Sequence, residues 1–247
     1  MIRIYTFILL SLLFFSCQEE SLPATELNAG YDYYPLEVGK YISYQVDSIL
    51  YDPTDGRILR DTSSIQVRET ITNRFENEDG LTLFEIERAE RQDERSDWRV
   101  TDIYSTYRND FQAVRTEENL NFLKMIFPVS RGSNWEGIRF DKDLIVEIAD
   151  EEVEIFKNWE SVVTGVDEAL SIDDFNFEEV ATIELARDTN SIELRSAFEQ
   201  YAKGVGLIYR EVSVLNTQQI DVDETVLWET KAEQGFLLYQ KVIDFNR

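Results

Sequence analysis

Any chemistry in this chain falls to carboxylates, because 49 of its 247 residues are Asp or Glu, none is His, and Cys17 is the single Cys. Without histidine there is no Ser-His-Asp triad, no His-ligated zinc and no ordinary base poised near neutrality. With one thiol, the common zinc and iron–sulfur sites are excluded as well. A glycan hydrolase needs only two carboxylates facing each other across a cleft, but with so many acids no linear pattern selects the pair. Calcium favours clustered hard oxygens, as at Asp141 and Asp143, Asp150-Glu151-Glu152, and Asp221 to Glu224. None has the glycine-punctuated spacing of a calcium loop, and Asp52-Pro53-Thr54-Asp55-Gly56 reads as a turn. These acids are expected to be solvated loops, with no metal and no cofactor.

Two further features invite a binding role. Gly204-Val205-Gly206 has the spacing of a phosphate-cradling loop, yet such a loop must feed a helix whose N–H groups meet the anion. Here Leu207 to Val212 alternates as a strand does, so Gly204 and Gly206 are expected to form a structural turn between strands. No G-x-x-x-x-G-K-[ST] stretch occurs either. Aromatic side chains remain: Tyr31, Tyr33 and Tyr34 cluster, and Trp98, Trp135, Trp159 and Trp228 lie in or beside expected strands. On an open sheet face they would stack on sugars or line an apolar groove, although core packing and strand pairing also use such residues. A net charge of −25 sets the chain against nucleic acid and anionic lipid surfaces.

The N-terminus speaks to location. Met1-Ile2-Arg3 is followed by a nearly unbroken apolar run from Ile4 to Phe15, too short to span a membrane. Phe14-Phe15-Ser16-Cys17 resembles a lipobox, which implies cleavage after Ser16 and acylation of Cys17. Residues 1–16 are then a lipoprotein signal and 17–30 a polar tether. The 247 − 16 = 231 residues left suit one large β domain, expected over 31–247.

That domain reads as β throughout. Ile42, Tyr44 and Val46 alternate with polar residues, and turn chemistry at 52–56 leads into a second alternating run, which makes 41–51 and 58–72 a hairpin. A further hairpin is expected with its tip near 93–97. Strands are expected around 98–107, 111–116, 144–149, 153–166, 179–186, 191–202, 205–214, 225–231 and 236–245. Glu117 to Met125 is the candidate short helix. Tyr34-Pro35-Leu36-x-x-Gly39 and Phe127-Pro128-Val129-x-x-Gly132 echo each other as strand lead-ins.

Taken with Phe175 to Leu185, Tyr201 to Arg210 and Gly235 to Phe245, these lead-ins make the chain similar to a broad group of Bacteroidota envelope lipoproteins of undetermined function. That group resembles the periplasmic half-barrel proteins, among them carriers that move lipoproteins to the outer membrane. The resemblance implies a single curved, half-barrel-like antiparallel sheet with at most one or two short helices. It also implies an outer-membrane lipoprotein, facing the periplasm or the cell surface and held to the membrane through acylated Cys17. The expected role is a non-enzymatic module for an apolar or glycan ligand or an envelope protein partner. The competing expectations are a carboxylate-dependent envelope glycan hydrolase and a structural accessory subunit.

Overall fold

A computed structural model describes residues 29–54, 57–137, 145–148, 151–157, 159–219 and 226–246, with side chains not described at 145–151. Cys17, the signal and most of the tether lie outside the described residues. So do Asp141, Asp143, Asp150 and Asp221 to Glu224.

Fourteen strands follow a 3-10 turn at Tyr31–Tyr33. The first six, β1 (Tyr41–Asp52), β2 (Leu59–Glu76), β3 (Thr82–Arg91), β4 (Arg99–Arg108), β5 (Gln112–Glu117) and β6 (Leu120–Ile126), form a meander. The last five, β10 (Ser161–Ile172), β11 (Phe175–Thr189), β12 (Glu193–Ala202), β13 (Gly206–Asn216) and β14 (Gln234–Phe245), form another. β1 pairs with β14, which welds the two into one antiparallel sheet of 12 strands, with β7 (Asn134–Trp135) beside β10. β8 (Ile145–Ile148) and β9 (Glu151–Glu154) make a separate small hairpin.

The sheet curls until it is nearly closed. At the seam, the Leu123 amide of edge strand β6 donates to the carbonyl of Gly137, just past β7, at 2.7 Å. Trp135 Nε1 donates to the Leu123 carbonyl, also at 2.7 Å. Closing a sheet protects edges that would otherwise offer unpaired backbone groups. Inside lies a core in which Ala113, Met125, Ile183, Ala197 and Val214 are buried, joined by Val153 from β9.

The expected fold class, mostly β in a single curved antiparallel sheet, is the one observed, with the curl carried further than a half-barrel. Three local expectations are corrected. Glu117 to Met125 is not a helix but the β5–β6 hairpin. Glu118 and Asn119 both take positive φ (48° and 67°), which suits a two-residue hairpin turn, and β6 then pairs along β5. The strand expected over 153–166 is broken, since β9 ends at Glu154 and β10 begins at Ser161, with a turn between. Where a strand was expected at 225–231, Trp228–Lys231 forms a four-residue helical turn, α1.

Candidate functional site

Charged residues occur on the inward, apolar face of several strands, and that anomaly marks the site. On β2, Glu69 sits between the inward-facing Val67 and Ile71; on β12, Glu199 sits between Ala197 and Tyr201; on β13, Arg210 sits between Ile208 and Val212. Register then brings partners together, with Glu69 opposite Arg88 of β3 and Arg210 opposite both Glu199 and Gln240. Around them is a cavity of about 120 Å³, open on one side, whose walls also include Tyr34, Ile42, Tyr44, Ile71, Ile86 and Tyr201.

Two ion-pair groups furnish the cavity. In the first, Arg115 of β5 holds Glu69 in a two-pronged pair, Nη1–Oε2 at 2.7 Å and Nη2–Oε1 at 2.6 Å. Its Nε faces Glu117 Oε1 at 2.5 Å, off the hydrogen-bonding direction, so this contact is electrostatic only. In the second, Glu199 is 0% exposed and takes Lys124 Nζ at 2.5 Å and the Tyr201 hydroxyl at 2.6 Å. Arg210 Nε lies 3.5 Å from Glu199 and, although buried, makes no hydrogen bond.

Burial alone would push both carboxyls up. For Glu199, the fields of Lys124 and Arg210, with hydrogen bonds from Lys124 and Tyr201, outweigh burial and hold it below the usual range. For Glu69, Arg115 does most of the same work, with Arg88 and Arg210 adding to it. The cavity phenols stay protonated: burial pushes Tyr34 up to about 12, and Tyr44 and Tyr201 well above their ordinary value. Thr106 Oγ1 spends its proton on the Val114 carbonyl at 2.8 Å, so the 2.8 Å contact with Tyr34 has the Tyr34 hydroxyl as donor.

The tryptophans named from sequence do not meet on one face. Trp98, half-buried just ahead of β4, has the guanidinium carbons of Arg68 and Arg91 at 4.6 and 4.4 Å from its ring centroid. Trp135 is buried at the seam. Trp159 packs on the main core beside Phe156, ring centroids 5.0 Å apart. Trp228 sits in α1 with Lys231 Nζ 4.0 Å from its ring centroid. None of the four lines the cavity, where the aromatic wall is tyrosine.

Gly204 and Gly206 turn β12 into β13 at φ 73° and 108°, and a strand rather than a helix follows. The turn nonetheless adjoins the cavity. Gly206 lines it, and a Cβ there would stand 3.4 Å from Ile42 Cδ1. The Gly204 amide donates to the Asp32 carbonyl at 2.8 Å, which docks the N-terminal 3-10 turn. Beside it, Lys203 Nζ pairs with Asp167 and Glu179, both at 2.6 Å, and the Tyr33 hydroxyl donates to Asp167 at 2.7 Å. Among the described residues no group of three or more potential ligands is placed to hold a metal ion.

No protein-family model matches the chain, nor does any curated protein. Two crystal structures are similar over most of its length. One is a Bacteroides fragilis protein assigned as exported, with a YmcC-like fold; identity is 10%, coverage 86% of this chain and 98% of that chain, and the TM-score 0.36. The other is a Parabacteroides distasonis protein assigned as a lipoprotein, at 9% identity, 87% and 98% coverage, and a TM-score of 0.35. At that identity and TM-score, neither transfers residues or roles to this chain.

Proposed function

We propose that this chain is an acylated lipoprotein of the bacterial envelope, anchored at the outer membrane through Cys17, whose barrel interior binds a small ligand without transforming it. The observation that carries the binding role is the cavity itself, where apolar and phenolic walls meet fixed charges in the manner of a small-molecule site. Its size favours a small molecule or a headgroup over a whole lipid, since about 120 Å³ would not hold two acyl chains. The same charges disfavour glycan hydrolysis here, because that chemistry needs one carboxyl kept protonated as the acid. Glu69 and Glu199 are both held ionised by their cationic partners.

Native mass spectrometry of the full chain, released from membranes, tests the reading. A reproducible small-molecule adduct is expected, and it should weaken when the cavity is filled by Ile86→Trp. An adduct-free protein across growth conditions would count against the binding role. Palmitate labelling tests the anchor separately: label is expected on the wild-type chain and not on Cys17→Ala, and label that survives the substitution refutes that assignment.

A further inference from the structure

The cavity gathers cations in a protein that is acidic as a whole. The chain carries 24 basic against 49 acidic residues. Yet among the described residues lining the cavity, Lys40, Arg88, Arg115, Lys124 and Arg210 are cationic, and only Glu69, Glu117 and Glu199 are anionic. Arg88 is also paired with Glu90 at 2.9 Å and lies 3.9 Å from Asp102, both outside the lining, so hydrogen bonding rather than net charge decides what the wall can hold.

Two neighbouring groups on this wall have hydrogen bonds left to make. Glu199 has given its short contacts to Lys124 and Tyr201, so Arg210 keeps only the 3.5 Å approach and donates no hydrogen bond among the described residues. Directly across the strand, Gln240 is 5% exposed, lines the cavity and makes no side-chain hydrogen bond among the described residues. Buried polar groups are normally satisfied, so the enclosed Arg210 Nε calls for a partner, and the Gln240 amide stands beside it. A planar guanidinium beside an amide N–H matches the two oxygens of a carboxylate.

We infer that the cavity selects a small organic carboxylate, its acidic group received by Arg210 and Gln240 and its apolar stem laid along Tyr34, Ile42 and Tyr44. This inference rests on the ligand-binding reading above and narrows it to one charge class.

The test is calorimetric titration of the full chain in nanodiscs, against empty nanodiscs, with three probes of one stem: hexanoate, hexanol and hexylamine. Hexanoate should bind about tenfold more tightly than either of the others. Arg210→Gln should erase most of that preference. Because Gln240 has no partner to lose, Gln240→Leu should fold as the wild type does and still weaken hexanoate about threefold. Equal binding of all three probes, tighter binding of hexylamine, or a hexanoate affinity untouched by both substitutions would overturn the carboxylate inference while leaving a binding cavity. Absence of saturable binding by any probe would overturn the binding reading and this inference with it.

Discussion

Glu199 has no exposed surface and remains ionised, so its partners must offset the whole cost of removing a carboxylate from water. Losing the carboxylate would strand Lys124, itself pushed down by burial. Glu199→Ala is therefore expected to destabilise by about 3–5 kcal/mol in urea unfolding, and Glu199→Gln, which retains an acceptor, by less. The pH dependence follows from the sign of the shift. The folded pKa of Glu199 lies below the ordinary 4.5, so its contribution is complete above that value and drains away as pH falls through the folded one. Lys124, Arg210 and Tyr201 are the groups facing it. Thermal stability of the wild type should thus fall more steeply below pH 4.5 than that of Glu199→Gln; parallel acid limbs would mean that Glu199 does not titrate as described.

Elements are set here by turn geometry as much as by hydrophobic alternation. Gly235, second in β14, lies opposite Leu215 and Tyr51 at φ 113°, and a Cβ there would lie 2.0 Å from the Val214 carbonyl oxygen. Gly204 also has positive φ, but its Cβ would point into open space. Gly204→Ala should cost about 1 kcal/mol from backbone strain alone, and Gly235→Ala several times more; equal costs in urea unfolding would reject the steric account. The β5–β6 turn offers the reverse case. Glu118-Asn119→Asn-Gly supplies residues that accept positive φ at both positions and should stabilise by about 0.5–1 kcal/mol. That turn also explains what was hard to read. Leu120-Asn121-Phe122-Leu123-Lys124-Met125 holds good helix formers, and only pairing with β5, a tertiary fact, decides for strand. Period-two alternation made most strands legible, including the strand that follows Gly206. The cavity was legible only as a face anomaly, a charge at Glu69, Glu199 or Arg210 where alternation calls for an apolar residue. Which charges pair could not be read locally, since Lys124 and Glu199 are 75 residues apart. Tryptophan drew notice by its chemistry, and the cavity used tyrosine instead.

At the scale of the molecule, the two meanders differ from the places that join them. Within each meander, neighbours in sequence are neighbours in the sheet, so their loops are short to close, apart from the longer stretch between Asn216 and Gln234 that carries α1. The weld between β1 and β14 links residues about 200 apart and extends over ten register pairs, from Ile42–Phe245 to Tyr51–Gly235. The seam is far slighter. Among the described residues its polar contacts are the Leu123 amide to Gly137 and the Trp135 indole to Leu123, supported by the edge-to-face packing of Phe122 on Phe156. A closure held by so few groups should open without unfolding of the rest. Trp135→Phe keeps an aromatic ring in the core and leaves the Leu123 carbonyl without its indole donor, at a cost of about 1–2 kcal/mol. Hydrogen exchange distinguishes a local seam from a global one. The Leu123 amide should exchange faster in Trp135→Phe, while amides of the β1–β14 weld keep their wild-type protection relative to global stability. Acceleration of both by the same factor would show that the sheet opens as one unit.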